Sequence, residues 1–238
     1  MRYLDLTLPT PAENLALDEA LLVEAEACGE SLETLRLWEP RAPMVVVGRS
    51  SKIAAEVHAE ACRQEGIPIL RRTSGGAAVV TGPGCMMYAL VLSLNQRPFL
   101  RSVDQAHRFV LGTLADAFRP LVAGVRCRGI SDLAVGDKKF SGNSIRIKRD
   151  YLLYHGTLLY GFRLELIDRL LAVPPREPAY RGGRAHGAFV ANLPVPAALL
   201  RAALRTAWQA TQPCSPWPRE LTEQLVAERY GCREWNER

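Results

Sequence analysis

Four segments of the 238-residue chain combine residue types able to hold or transform a small molecule. The first is Arg71-Arg72-Thr73-Ser74-Gly75-Gly76-Ala77-Ala78, where two arginines end a short apolar run and a polar, glycine-containing turn follows. Paired glycines let the backbone bend tightly and approach a ligand closely. Successive N–H groups in such a turn form a small anion-binding concavity, and arginine adds a bidentate partner for phosphate or carboxylate. An ordinary tight turn with surface arginines has the same composition. The second segment, Asp132-Leu133-Ala134-Val135-Gly136-Asp137-Lys138-Lys139-Phe140-Ser141-Gly142-Asn143, reads as a hairpin turning at Gly136-Asp137. Strand alternation sends Lys138 and Lys139 to opposite faces, so only one can meet a ligand. Only four of the 30 basic residues are lysines, and a lysine kept among arginines suits a need for a compact point charge. Two solvated hairpin lysines are the plain alternative.

The third segment is His155-Gly156-Thr157-Leu158, inside an apolar strand, where a hydrogen-bonded core histidine is the commoner case. The fourth is the Pro/Gly/Arg-rich loop at 174–188 with Arg176, Arg181, Arg184 and His186. Such loops either cover a site or lie solvated on the surface. The six cysteines (28, 62, 85, 127, 214 and 232) contain no C-x-x-C pair and no zinc-like spacing, so no metal centre is expected. Most read as small buried hydrophobes, with Cys85 and Cys127 held apart.

Elements to position these residues are legible in turn. Thr10-Pro11-Ala12-Glu13 opens a helix that runs through residues 14–28 and stops at Gly29. The runs TLRLW, MVVVG and IPILR read as strands, and residues 54–65 as a helix. AAVV, the turn TGPG and CMMYALVLSL suggest a hairpin. Ser102 caps a second long helix ending before Pro120. DLAV, IRIK and YLLYHGTLLY follow as strands, with further helices near 163–172, 196–210 and 218–230. Hairpins outnumber strand–helix–strand crossovers, which predicts an α/β chain of α+β type, a mixed, largely antiparallel sheet flanked by helices. No internal repeat or linker divides it, so residues 1–238 read as one domain.

Apolar residues make up 48% and charged residues 23%, which excludes a disordered or fibrous chain. No apolar run is long enough to span a bilayer, and mean hydropathy is -0.04. No signal-peptide pattern opens the sequence, so a cytoplasmic protein is expected. The net charge of +5 favours an acidic partner, and aromatic platforms for nucleic acid are lacking. P-loop, Rossmann, H-E-x-x-H and G-x-S-x-G signatures are absent.

Taken in order, NLALDEALL, LRLWEPRAPMVVVGRS, RRTSGGAAVV, SDLAVGDKKFSGNS and HGTLL closely resemble the lipoate–protein ligase A family, over roughly residues 10–195. That family sits with biotin ligases and octanoyltransferases. The resemblance implies a catalytic domain related to class II synthetase cores, its core at about 10–210. It implies that Arg71, Ser74, Gly75, Gly76, Ala77, Ala78 and Val79 line the nucleotide and acyl site, with Gly142, His155, Gly156 and Thr157 beside them. Lys139 maps onto the catalytic lysine, while Lys138 faces away. ATP with Mg2+ and lipoate or octanoate are the implied ligands. Acidic lipoyl-domain acceptors, of the glycine-cleavage H protein or 2-oxoacid dehydrogenase E2 type, are the implied partners.

Two departures qualify the reading. Ala77 stands where ligases commonly carry a third glycine, and Thr81-Gly82-Pro83-Gly84-Cys85 replaces a His-Asp…Gly-Asn segment. The sequence also leaves no room for the C-terminal accessory domain of many ligases, so a separate accessory protein is an expected partner. Three activities stay open: an ATP-dependent ligase, an ATP-independent octanoyl or lipoyl transferase using Cys127 as thioester nucleophile, and a non-catalytic lipoyl-binding or assembly factor. Cys127 lies twelve residues before Lys139, a spacing similar to that of octanoyl amidotransferases. The retained Lys139 argues against the third.

Overall fold

The strand Cys85–Ser93, buried along its whole length, organises the chain around itself. The computed structural model describes residues 1–28, 32–174 and 177–238. Among these, the strands are β1 (Arg2–Asp5), β2 (Thr34–Trp38), β3 (Met44–Val47), β4 (Ile69–Arg71), β5 (Val79–Thr81), β6 (Cys85–Ser93), β7 (Val125–Arg128), β8 (Asp132–Val135), β9 (Lys138–Ile147), β10 (Tyr151–Leu159) and β11 (Gln212–Pro213). The helices are α1 (Pro11–Cys28), α2 (Ile53–Glu56), α3 (Ala59–Gln64), α4 (Val103–Phe118), α5 (Glu165–Leu170), α6 (His186–Phe189), α7 (Ala197–Ala207), α8 (Arg219–Leu225) and α9 (Arg233–Asn236). The large sheet runs β11-β1-β2-β6-β10-β9-β8-β7 and a small one runs β4-β3-β5. In the large sheet β1 lies parallel to β2 and β11; every other pairing is antiparallel. The mixed, mainly antiparallel sheet flanked by helices is the expected class.

Alternation along β6 and β10 builds a core on each face. Leu90, Leu92, Leu152 and Tyr154 meet Val110, Leu114 and Phe118 of α4 and Leu200 and Leu204 of α7. Ala89, Val91 and Leu153 meet Leu17, Leu21 and Leu22 of α1. Helix α1 begins at a reciprocal capping box: Glu13 N–H donates to Thr10 Oγ1, and Thr10 N–H donates to Glu13 Oε2 at 2.7 Å. Its apolar residues are not confined to one stripe, because the large sheet lies on one side and α8 and the small sheet on the other.

The structure corrects several expectations. β5 and β6 are not a hairpin: β5 pairs with β3 in the small sheet, whereas β6 lies between β2 and β10 in the large one. All nine residues of β6 are buried, a pattern that belongs in mid-sheet, and Gly82-Pro83-Gly84 carries the chain across. The helix expected at 54–65 splits into α2 and α3, since Val57 bridges to Leu171 and His58 N–H donates to Leu170 O. The helix expected at 218–230 ends as α8 plus a π-turn. β1, β7 and β11 were not anticipated. The stop at Gly29 and the side chain of Arg176 lie outside the described residues.

Arg36 on β2 is fully buried. Its guanidinium donates to Asp18 Oδ1 at 2.5 Å, Asn14 O at 2.7 Å, Asn14 Oδ1 at 2.8 Å and Leu6 O at 3.1 Å. Removing one partner of such a pair leaves the other charge buried without compensation, at about 3–5 kcal/mol. Arg36→Met is therefore expected to lower the urea-unfolding free energy by about that amount, and Arg201→Ala, which removes the part-exposed contact with Asp5, by less than about 1 kcal/mol.

Candidate functional site

A cleft of about 1030 Å³ opens between the turn at residues 72–79, the start of α1 and the β8–β9–β10 end of the large sheet. Leu15, Val46, Val79 and Met87 give it an apolar floor. Its polar end carries Asp132, Lys139, Ser144, His155 and Thr157.

The turn is shaped by side chains that take up its carbonyls. Arg72, buried beneath it, donates to Val46 O at 3.1 Å, Ala77 O at 3.0 Å, Ser74 Oγ at 3.2 Å and twice to Gly75 O. Burial pulls this guanidinium down to about 10, still charged at neutral pH. Ser144 Oγ donates to Gly75 O at 2.8 Å and Ser51 Oγ to Gly76 O at 3.1 Å. Gly76 has φ +87°, a left-handed conformation that disfavours side chains. Among the described residues, the N–H groups of Gly75, Gly76 and Ala77 donate to no protein acceptor, whereas Ala78 N–H donates to Glu56 Oε2 at 2.6 Å. Three free donors with a cation beneath them make an anion site.

His155 anchors the turn from below. Its Nε2 and Ser74 Oγ share a hydrogen bond of 2.5 Å, and its Nδ1 stands 3.7 Å from Asp18 Oδ2. A buried polar line thus runs Arg36–Asp18–His155–Ser74–Arg72, joining β2, α1, β10 and the turn.

Lys139 reaches the cleft through an irregularity in β9. From Asp132↔Gly142 and Leu133↔Ser141 the register slips to Ala134↔Lys139. This bulge turns Phe140 and Ser141 both toward the α4 core and brings Lys139 onto the face of Gly142 and Ser144. Lys139 Nζ pairs with Asp132 Oδ1 at 2.7 Å while its side chain stays 26% exposed, enough to meet a ligand. A methyl at Gly142 would stand 2.9 Å from that Nζ. Lys138 points away and donates to Ala188 O at 2.6 Å.

Of the residues singled out in the sequence, Gly75, Gly76, Ala77, Ala78, Val79, Lys139, Gly142, His155, Gly156 and Thr157 line one cleft, and Ser74 lies directly behind it. Arg71 does not. Its buried guanidinium is taken up by the carbonyls of Gly48, Arg49, Ser51, Trp235, Asn236 and Arg238, so it ties residues 235–238 to the small sheet. The second arginine, Arg72, shapes the turn instead. Cys127 is also outside: it pairs with Leu133, whose side chain faces the α4 core, on the far side of the sheet. The residue is exposed, yet desolvation by its surroundings pushes the thiol up more than Arg119 pulls it down. The 174–188 loop reaches the cleft through Pro174, Glu177, Pro178 and Ala179. Arg181 and Arg184 instead pair with Glu177 and Asp137, and His186 N–H donates to Asp168. Sequence reasoning missed Asp132 and Tyr180, because strand parity conceals a bulge and no spacing rule links a loop tyrosine to a strand carboxylate.

Comparison with known proteins identifies the family and the fold. Residues 10–197 match the model of the lipoyl protein ligase A/B catalytic domain. A lipoate-protein ligase A-like protein of Aeropyrum pernix is 34% identical over 173 residues, 73% of this chain and 62% of its own length. The chain thus spans less than two thirds of that relative. The octanoyltransferase LipM of Symbiobacterium thermophilum is 27% identical over 270 residues, covering 100% of this chain and 98% of its own. In fold, the chain resembles a bi-partite lipoate protein ligase of Thermoplasma acidophilum (TM-score 0.82, 21% identity, 99% of this chain and 95% of that one). The chain belongs to the lipoyl protein ligase A/B catalytic-domain family.

Proposed function

We propose that the chain is an ATP-dependent lipoate ligase: it activates lipoate or octanoate as the acyl-adenylate and passes the acyl group to a lysine of a lipoyl-domain protein. The observation that carries this reading is the meeting of three features in one cleft: an apolar floor, the free amides of residues 75–77, and the Lys139 ammonium. An acyl chain on the floor gains about 0.8 kcal/mol per buried methylene. Its carboxylate then lies at the polar end, where Lys139 and the turn amides offset the charge on carboxylate and α-phosphate as they join and pyrophosphate leaves. The acceptor amine attacks the carbonyl next, and AMP departs. Mg2+ would arrive with the nucleotide and neutralise part of its phosphate charge. The net charge of +5 suits an acidic acceptor, and the Thermoplasma acidophilum ligase of the same fold was studied with its E2 lipoyl domain.

The full-length likeness to an octanoyltransferase favours a second reading, transfer without ATP. It requires a reactive thiol beside Lys139. Cys127 lies across the sheet from Lys139 with its thiol pushed up, which supports the adenylate route. The deciding assay is intact mass of a lipoyl-domain acceptor incubated with lipoate and ATP, or with an octanoylated donor protein, each component omitted in turn. Acylation only with ATP supports the ligase; acylation only from the donor protein overturns it.

Lys139→Ala is expected to slow ATP-dependent acylation by about 10²–10³, as loss of one preorganised charge contact does, while Lys138→Ala, whose ammonium meets only Ala188 O, stays near the parent rate. Equal losses would contradict the division of roles.

Cys127→Ser should retain most ATP-dependent activity. Because the Cys127 thiol is raised, iodoacetamide should label it more slowly at neutral pH than free cysteine, with the midpoint of the pH–rate curve above the ordinary thiol value. A midpoint below that value would favour the thioester route.

A further inference from the structure

Lys139 does not hold its own position. Its Nζ meets Asp132 Oδ1 at 2.7 Å, and the other oxygen of that carboxylate, Oδ2, accepts the Tyr180 hydroxyl at 2.8 Å. Asp132 is almost fully buried, so the two oxygens are divided between one strand lysine and one loop tyrosine. Tyr180 is itself fixed: Arg128 stacks over its ring at 4.8 Å, and the Phe189 ring lies 5.1 Å away. The same segment is tied across the β8–β9 hairpin by Arg184 to Asp137 at 2.6 Å and by Ala191 N–H to Lys139 O at 2.9 Å. Burial and the Asp132 charge keep the phenol protonated throughout the working range, so it serves as donor.

We propose that Tyr180 is a positioning residue for Lys139, acting through Asp132, so that the segment bordering the cleft and the ammonium inside it are aligned by one shared carboxylate. This rests on the reading of Lys139 as the ammonium that offsets charge at the reacting carboxylate and phosphate. With the hydroxyl in place, only Oδ1 is left for Lys139 and the carboxylate cannot turn. Without it, Asp132 can offer both oxygens to the ammonium and draw it from the ligand, and small displacements of a reacting group are costly in rate.

Tyr180→Phe keeps the ring packing and removes only the donor. The expected result is a fall in kcat for acceptor acylation of about tenfold, with KM for acid and ATP little changed. In an Asp132→Asn background the same substitution should add no further loss, because it acts through that carboxylate. A second readout needs no turnover: reductive methylation with formaldehyde and cyanoborohydride, followed by peptide mass mapping of Lys139 against Lys138. Tyr180→Phe should lower the Lys139 to Lys138 labelling ratio and Asp132→Asn should raise it. Thermal melting checks that both variants fold. An unchanged labelling ratio in Tyr180→Phe, or a loss of kcat that simply adds to that of Asp132→Asn, overturns the proposal. If the parent chain acylates no acceptor from any donor while the labelling ratios shift as stated, the functional reading falls and the positioning role stands.

Discussion

A guanidinium cut off from solvent must find its compensating charge inside the protein, and Arg36 finds it in Asp18. That need ties the middle of the large sheet to the first helix. Asp18 Oδ2 is then directed at His155, and His155 holds Ser74, the last residue before the glycine turn. Arg72 closes the line from the opposite side by collecting the turn's carbonyls. Buried charges thus hold the turn's conformation, and the amides of residues 75–77, which border the cleft, are left without a protein acceptor among the described residues. In a low-dielectric interior the charge pairing within this network resists rearrangement, and removing one member leaves its partner buried without compensation.

The second constraint is geometric. A strand with perfect alternation would put Lys139 and Gly142 on opposite faces. The bulge at Phe140 removes that conflict, so the ammonium, Ser144 and the turn share one space while Phe140 and Ser141 fill the α4 core. One extra residue thus joins the polar end of the cleft to its apolar floor. Cys127 undergoes no such re-aiming: it remains on the face of Leu133, opposite Lys139, with its side chain exposed.

Much of this was legible in the residues and much was not. The capping box at Thr10, the Ser102 cap, the Gly136-Asp137 turn and the opposite faces of Lys138 and Lys139 follow from local rules, and the structure agrees with each. The gathering of 74–79, 139, 142 and 155–157 around one cleft came from the order of familiar segments. Local rules failed where the outcome depended on distant partners. Neighbouring arginines look alike in sequence, but Arg71 is consumed by carbonyls of residues 235–238 and Arg72 by the turn. The residue runs around TGPG suggest a hairpin, yet a strand buried on both faces is drawn to mid-sheet, and its neighbour joins another sheet. Asp132 was hidden by the bulge, and Tyr180 by an irregular loop without a repeating pattern.

On the proposed reading, the amides of residues 75–77 and Lys139 hold a mixed anhydride whose chain lies on the apolar floor. This arrangement is tested most directly by a crystal structure, with matching calorimetry, of the chain bound to octanoyl-sulfamoyl adenosine, a stable analogue of the acyl-adenylate. The sulfamoyl oxygens are expected on those amides and the Lys139 ammonium, with the octanoyl chain against Leu15, Val46 and Met87. Binding elsewhere, or no binding by a folded chain that nonetheless forms a hydroxylamine-sensitive octanoyl adduct from an acylated donor protein, would contradict it.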